Sequence, residues 1–492
     1  MKQLELRHYQ DSLIDEAVRR MTSGGFFGQG LFVGLGLGKT IMAIEIFKHL
    51  EATNVVKRAL VLAPPRVCEL TWPDEIDRWV DYQHVSYTNL SGKTPAKRKE
   101  YLMERADVCI STTDSVVWLA KEFNTPAKLK RLPYDFLIVD ESTAYKTWGS
   151  QRSKALRKIL PRFKRSLILT ATPRPNSVLD LFSQMFLLDK GDTFGKSVTR
   201  FKSRFGYQGG FKGYVWTPFI DADEKVNEEI APHIIRLDTA DEIDMPQLVF
   251  NNIEVDLTPT VRSMYKQLED EMWLELSDTE SITPVNAGVR YMACKQFTGG
   301  AVYKTTPSDT LGELPTREAA RVHDAKLDLL METLEALQAP ALVAYQYQWE
   351  HDAIMARLQD KLLVESINGQ TKSKDAAIAV KNWNAGKLDV LLCQPQGVSH
   401  GVNLQYGPGR DIIWYGLTDL PEVYQQFNGR IYRPGVTSGV TVHHLLVKST
   451  VEQSIAARLA DKAAGEKGML DYLRDEYQQR IRTNPKKRVK KR

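Results

Sequence analysis

The run Phe32-Val33-Gly34-Leu35-Gly36-Leu37-Gly38-Lys39-Thr40 constrains this chain most, because few backbones need three alternating glycines followed by Lys-Thr. Leu31-Phe32-Val33 reads as a short buried strand, and the residues from Lys39 to Leu50 read as a helix whose unpaired N–H groups face the loop. In that setting Gly34, Gly36, Leu37 and Gly38 can crowd main-chain N–H groups around a triphosphate. Lys39 would reach the β- and γ-phosphates, and the Thr40 hydroxyl would hold magnesium. Val33 stands where such loops usually open with glycine. The alternative reading is a Gly-rich turn with a structural role only.

With 492 residues, 42% of them hydrophobic, the chain can bury more than one core, and two or three domains are expected. Cys68, Cys109, Cys294 and Cys393 lie far apart without paired spacing, which suggests neither a zinc site nor a disulfide framework and points to a reducing compartment. There is no 18-residue apolar run, and the N-terminus lacks the apolar core of a secretion signal. We therefore expect a cytoplasmic protein with no membrane partner. The net charge is +5, but residues 482–492 hold seven cations and no anion, so the remainder carries −2. Nucleic-acid binding by the body of the chain would need a local groove.

Residues 11–22 form an amphipathic helical pattern with Leu13, Ile14, Ala17, Val18 and Met21 on one face. By spacing alone, Gln10 just ahead of it is a polar end group. Apolar runs at 58–63, 107–111, 136–140 and 166–170 alternate with polar or helical stretches, which implies an α/β fold with a parallel sheet. Ligands in such sheets sit at the carboxyl ends of the strands. Asp140-Glu141 falls at one of those ends, after four apolar residues. One carboxylate suits a magnesium shell, and the other can orient and deprotonate an attacking water; a solvated pair of strand-end acids is the alternative. Thr170 and Thr172, before Pro173, fit a capped turn equally well.

Residues 200–216 interleave cations with aromatics, which suits either base stacking or packing of an insertion on the first domain, and the second is favoured. A second α/β block follows, with helices near 260–275 and 325–337 and strands near 341–344, 362–364, 389–392, 412–415 and 440–442. The part between, 277–322, is expected to be loop and short helix. In Gln426-Phe427-Asn428-Gly429-Arg430-Ile431-Tyr432-Arg433, two arginines three apart would share one face of a helix, with no acidic residue close in sequence.

These motifs, in this order, resemble the two-lobed helicases and translocases of superfamily two, and within them the Swi/Snf-type DNA-dependent ATPases, above all their phage-encoded relatives. The similarity spans about residues 4–458. Leu6-Arg7-His8-Tyr9-Gln10 is similar to the family's adenine-reading motif, which makes Gln10 the base contact. Ala63-Pro64-Pro65-Arg66, with Trp72 downstream, resembles a motif lying along the nucleic-acid backbone. Asp140-Glu141-Ser142-Thr143-Ala144 resembles the acidic box, continued by Ser150 and Lys154-Ala155-Leu156. Leu169-Thr170-Ala171-Thr172-Pro173 with Asn176 resembles the motif coupling ATP state to nucleic acid. Ile367-Asn368-Gly369 and Gly401-Val402-Asn403-Leu404-Gln405 resemble strand-contacting motifs, and Gln426 through Arg433 resembles the arginine-finger motif. Gly397-Val398-Ser399-His400 and Val436 depart from eukaryotic remodellers, and the His400 run suits the phage type.

The resemblance implies two tandem RecA-like domains with an ATP cleft between them: residues 1–245 (190–245 being insertion or junction), residues 246–460, and a helix with a basic tail at 461–492. It implies catalytic roles for Lys39, Asp140, Glu141, Gln426, Arg430 and Arg433, with ATP and magnesium as cofactors. Candidate nucleic-acid contacts are Pro65, Arg66, Ser111, Thr112, Asn368, Gly369, Gly401 and Asn403. The expected partner is DNA, single- or double-stranded and without sequence preference, bound by a monomer. An RNA helicase and an ATP-binding scaffold with little turnover are the rival readings. The tail could bind DNA, direct nuclear import or simply be solvated.

Overall fold

A computed structural model of the protein describes residues 3–171, 173, 177–209, 215–237, 244–277, 284–306, 316–398 and 402–460. The expected terminal helix and basic tail, together with Thr172, Asn176 and Gly401, lie outside these residues. The chain divides into two compact units, the second beginning at Pro246.

The first unit is built on strands β1 (Gly28–Val33), β2 (Ala59–Ala63), β3 (Tyr87–Asn89), β4 (Val108–Thr112), β5 (Phe136–Asp140) and β6 (Arg165–Thr170). A hairpin of β7 (Gly206–Gly209) and β8 (Val215–Pro218) follows, and then β9 (Ile234–Leu237). Seven strands form one parallel sheet in the order β3-β4-β2-β5-β6-β1-β9. Unbroken apolar runs such as Ala-Leu-Val-Leu-Ala suit strands covered on both faces. Successive side chains feed opposite cores: Leu60 and Leu62 enter one cluster, and Ala59, Val61 and Ala63 the other. The His8–Thr22 and Lys39–Ala52 helices cover one face, and the Gln151–Ile159 and Leu179–Asp189 helices the other.

Within residues 200–216, Phe201 and Phe205 are buried in this unit, with ring centroids 4.7 Å apart and Phe194 and Phe182 against them. Trp216 Nε1 donates to the Lys202 carbonyl at 2.9 Å. These aromatics therefore take the packing role. Phe211, Lys212 and Tyr214 lie outside the described residues.

The second unit contains β10 (Leu248–Val255), β11 (Ala301–Thr306), β12 (Thr316–Arg321), β13 (Ala341–Ala344), β14 (Val364–Ile367), β15 (Val390–Cys393), β16 (Asp411–Trp414) and β17 (Val440–Val447). Six of them form a second parallel sheet, β10-β17-β16-β13-β15-β14. Two expectations are corrected here. The strand expected at 362–364 begins at Val364 and runs to Ile367, with Leu363, 64% exposed, just ahead of it. The part expected to be irregular holds the Pro284–Gly299 helix, with Tyr291, Cys294 and Phe297 buried along it, and the antiparallel β11–β12 hairpin. The hairpin escaped detection because Lys304-Thr305-Thr306 and Thr316-Arg317-Glu318 give no apolar alternation.

Candidate functional site

The sheet of the first unit places β6 between β5 and β1. Asp140 pairs with Leu169 across β5–β6, and Phe32 pairs with Thr170 across β1–β6. The carboxyl ends of these strands are therefore level, and the glycine loop, Thr170 and Asp140-Glu141 stand side by side, spanning two strand spacings of about 5 Å each.

Val33 is the last residue of β1, fully buried and paired with Leu237 of β9. It contributes to the core rather than the loop, so the departure at this position falls on a packing residue. Gly34 N–H donates to the Leu237 carbonyl at 2.9 Å, and the free loop begins there. Gly36 and Gly38 have φ of 78° and 83°, the left-handed region that favours glycine, and Gly38 caps the Lys39–Ala52 helix. Lys39 Nζ donates to the carbonyls of Val33 and Gly34 at 2.9 and 3.1 Å, so its ammonium is held over the loop. Thr40 follows in the first turn of that helix, partly exposed.

Gln10 is buried against the same loop. Its Nε2 donates to the Leu37 carbonyl at 2.9 Å, and its Oε1 accepts from Arg7 N–H at 2.9 Å. A Cβ at Gly38 would lie 2.3 Å from Gln10 Nε2, so a side chain at 38 would push the Gln10 amide off the Leu37 carbonyl, besides straining a backbone at φ 83°. Leu37 contributes its carbonyl here, its side chain being fully buried in the core.

Asp140 is buried, and its Oδ2 accepts from the indole Nε1 of the fully buried Trp72 at 3.0 Å. Glu141 adopts φ 55° and ψ 65°, an uncommon conformation for a residue with a side chain, and starts the Ser142–Tyr145 turn. Tyr145 hydroxyl donates to the Thr113 carbonyl at 3.0 Å, fixing that turn to the segment after β4. Cys68 Sγ donates to the Ala63 and Ser111 carbonyls, and burial pushes its thiol far above the ordinary range, so it stays protonated. Sequence reasoning named Trp72 without its partner Asp140, and it missed Gln184, a fully buried amide between Ser142 and Pro173. The available signal was a polar pair, Ser183-Gln184, inside the apolar helix LDLFSQMFLLD.

Among the nucleic-acid candidates, Pro65 is exposed and Arg66 partly so. Ser111 is a correction: its side chain is fully buried inside β4 and cannot reach a ligand at the surface. Thr112 is partly exposed, its hydroxyl hydrogen-bonded to that of Ser115 at 2.7 Å. In the second unit, Asn368 Oδ1 accepts from the N–H groups of Gln370 and Thr371, at 2.9 and 3.0 Å, and shapes the turn that exposes Gly369.

The two arginines are not on a helix, which corrects the sequence expectation. The Pro421–Asn428 helix ends before them, and Arg430 and Arg433 lie in the turns beyond it. Arg430 is 4% exposed, with Nε donating to the Gln426 carbonyl at 3.0 Å, and Gln426 is itself buried. Arg433 donates to Asn403 Oδ1, and the Asn403 carbonyl accepts from Asn384 Nδ2 at 3.0 Å. Asn403 thus sits under Arg433 and orients it.

Among the described residues no cluster of three or more His, Cys, Asp or Glu could hold a metal alone, and no helix is long and apolar enough to cross a membrane. Comparison with known proteins gives a match to the SNF2-related domain model over residues 26–296. Protein p41 of Acyrthosiphon pisum secondary endosymbiont phage 1 is 29% identical over 96% of this chain and 100% of its own length. The uncharacterized ATP-dependent helicase YqhH of Bacillus subtilis (strain 168) is 23% identical over 87% of this chain and 73% of its own. A solved Sulfolobus solfataricus SWI2/SNF2 ATPase core in complex with dsDNA is 22% identical over 98% of this chain and 96% of that chain, at a TM-score of 0.43. With more than half its length matched by the family model, and the motif residues gathered at the strand ends of its first sheet, this chain belongs to the SNF2-related domain family.

Proposed function

We propose that the chain hydrolyses ATP and couples hydrolysis to movement along, or remodelling of, DNA without reading its sequence. The observation that carries this reading is the juxtaposition at the ends of β1, β6 and β5 of the glycine loop, Thr170 and Asp140-Glu141. Family membership and the ATP-dependent helicases among its relatives support it.

In this reading the N–H groups of Gly36, Leu37 and Gly38, with the Lys39 ammonium, bind the phosphates, and Gln10 recognises the base. The donor set fits magnesium, a hard cation that takes one or two protein oxygens beside phosphates and water: the Thr40 hydroxyl and the Asp140 carboxylate are oxygens, and Trp72 orients the latter. Magnesium there would neutralise phosphate charge. Glu141 acts as the general base that orients water. Arg430 and Arg433 supply the cations that stabilise the transferring phosphoryl group, with Gln426 and Asn403 holding them. Pro65, Arg66, Thr112, Asn368, Gly369, Gly401 and Asn403 are the proposed backbone contacts to DNA, which would be sequence-independent because phosphates carry no base identity. One copy of the chain and no membrane are required, and the cytoplasm is the proposed setting. Displacement of a third strand from a triplex by the protein and ATP tests this: ATP-dependent release is expected, and a vigorous ATPase that never displaces the strand would refute translocation.

A further inference from the structure

We propose that Gln184 is a positioning residue for ATP turnover, tying the backbone beside Glu141 to the segment that follows Thr170. It sits on the Leu179–Asp189 helix and is fully buried. Its Oε1 accepts from the Ser142 hydroxyl at 2.6 Å, and its Nε2 donates to the carbonyls of Pro173 at 2.6 Å and Asp180 at 2.9 Å. Carbonyls only accept hydrogen bonds, so the two on one side fix which end of the amide is nitrogen. The acceptor and both N–H groups of the side chain therefore have partners. Packing does not ask for an amide here, since leucine would fill an apolar helix face without losing hydration. The amide contributes direction instead, because hydrogen bonds in a dry interior are strong and stiff.

The two segments it joins are the ones that matter to turnover. Ser142 is fully buried and directly follows Glu141, whose left-handed backbone is held from one side by β5 and from the other by this anchor. Pro173 closes the run that begins with Thr170 at the end of β6. The helix bearing Gln184 is itself fixed, with Leu181, Phe182, Met185 and Leu188 in the core. A displacement of Pro173 would thus be felt at Ser142 through one side chain bonded to both. The hydrogen bonds of Gln184 go to Ser142, Pro173 and Asp180, none of them assigned to nucleotide binding, so it acts through Glu141. The inference rests on the reading of Glu141 as the general base.

Gln184→Leu alone strands the Ser142 hydroxyl in the core and could unfold the protein, so the decisive variant is the double substitution Gln184→Leu/Ser142→Ala, which removes both members of that side-chain pair and takes from Pro173 and Asp180 only a donor to their carbonyls. The experiment measures melting temperature, KM for ATP and kcat with duplex DNA. The double variant is expected to melt close to wild type and keep KM within about twofold while kcat falls about tenfold or more, since small misplacements of a reacting group cost factors of this size. A kcat within twofold of wild type, or a rise in KM with kcat intact, would overturn the proposal. Two controls separate its failure from that of the reading beneath it. If wild type gains nothing from DNA, coupling to DNA fails on wild type alone, and Gln184 is judged by the same tenfold criterion on basal kcat. If Glu141→Gln still turns over ATP, the base assignment falls, and the positioning role falls with it.

Discussion

The indole Nε1 of Trp72 donates to Asp140 Oδ2 at 3.0 Å, joining two buried groups 68 positions apart in the chain. Asp140 ends β5, and Trp72 opens the short helix Trp72–Arg78 that follows β2, so neighbouring strands of the sheet bring them together. The bond fixes the rotation of the carboxylate proposed to face magnesium. Trp72→Phe keeps the aromatic body and removes the donor. We expect a loss of about 1–3 kcal/mol in stability, as for a buried acceptor left without its partner. Half-maximal ATPase should also require more magnesium. Unchanged magnesium dependence would mean that the indole serves packing only.

Lys39→Ala should abolish ATP binding and turnover, whereas Glu141→Gln should abolish turnover and leave binding intact. Binding of a fluorescent nucleotide, measured beside steady-state hydrolysis, separates the two. A Glu141→Gln protein with wild-type turnover would remove Glu141 from the mechanism.

Arg433→Ala is expected to lower kcat by about 10³-fold or more while nucleotide affinity is kept, the range known for arginines that meet a transferring phosphoryl group. Asn403→Ala, which takes away the acceptor beneath Arg433, should show the same defect in milder form. Loss of nucleotide binding in Arg433→Ala would place this arginine in ground-state binding instead.

His444 gives the second unit a pH dependence. Burial first, and the neighbouring His443 second, push its imidazole down to about 4 from an ordinary 6.5. Its ring bonds to the Tyr424 hydroxyl and to Asn252 Oδ1, both at 2.8 Å, while Asp411 bonds to His443. The unfolded chain therefore binds a proton between these two values and the folded chain does not. The corresponding stability is present above pH 6.5 and lost as pH falls through about 4, amounting to about 3 kcal/mol at most. Melting curves from pH 7 to 4 should show this loss in wild type and a flatter profile in His444→Gln; parallel profiles would show that another group is responsible.

Removing residues 482–492 takes away seven cations. DNA affinity should fall, and its salt dependence should become shallower, while the basal ATPase is spared. An unchanged salt slope would leave the tail a solvated segment.

Five of the seven strands of the first sheet were legible, because they carry apolar runs and the chemical motifs follow them; β3, which reads Tyr-Thr-Asn, and β9, inside the stretch expected to be insertion or junction, were not. Asp140-Glu141 and the glycine loop needed only order and spacing to be found. What stayed hidden depended on burial or on local turns. Ser111 looked available at a strand end and is enclosed; Arg430 and Arg433 looked helical, and the helix stops at Asn428. Val33 looked anomalous in a phosphate loop, yet it is a core residue of β1. Gln184 stayed hidden because a polar residue in an apolar helix announces burial without naming its partners, which here lie 42 and 11 positions away.

Steady-state ATP hydrolysis by the intact protein, with duplex DNA, single-stranded DNA or RNA added in turn, tests DNA-coupled turnover most directly. A low basal rate raised at least about tenfold by DNA of unrelated sequences is expected, with RNA giving little and Glu141→Gln giving none. Equal stimulation by RNA, or a rate indifferent to every nucleic acid, would contradict it.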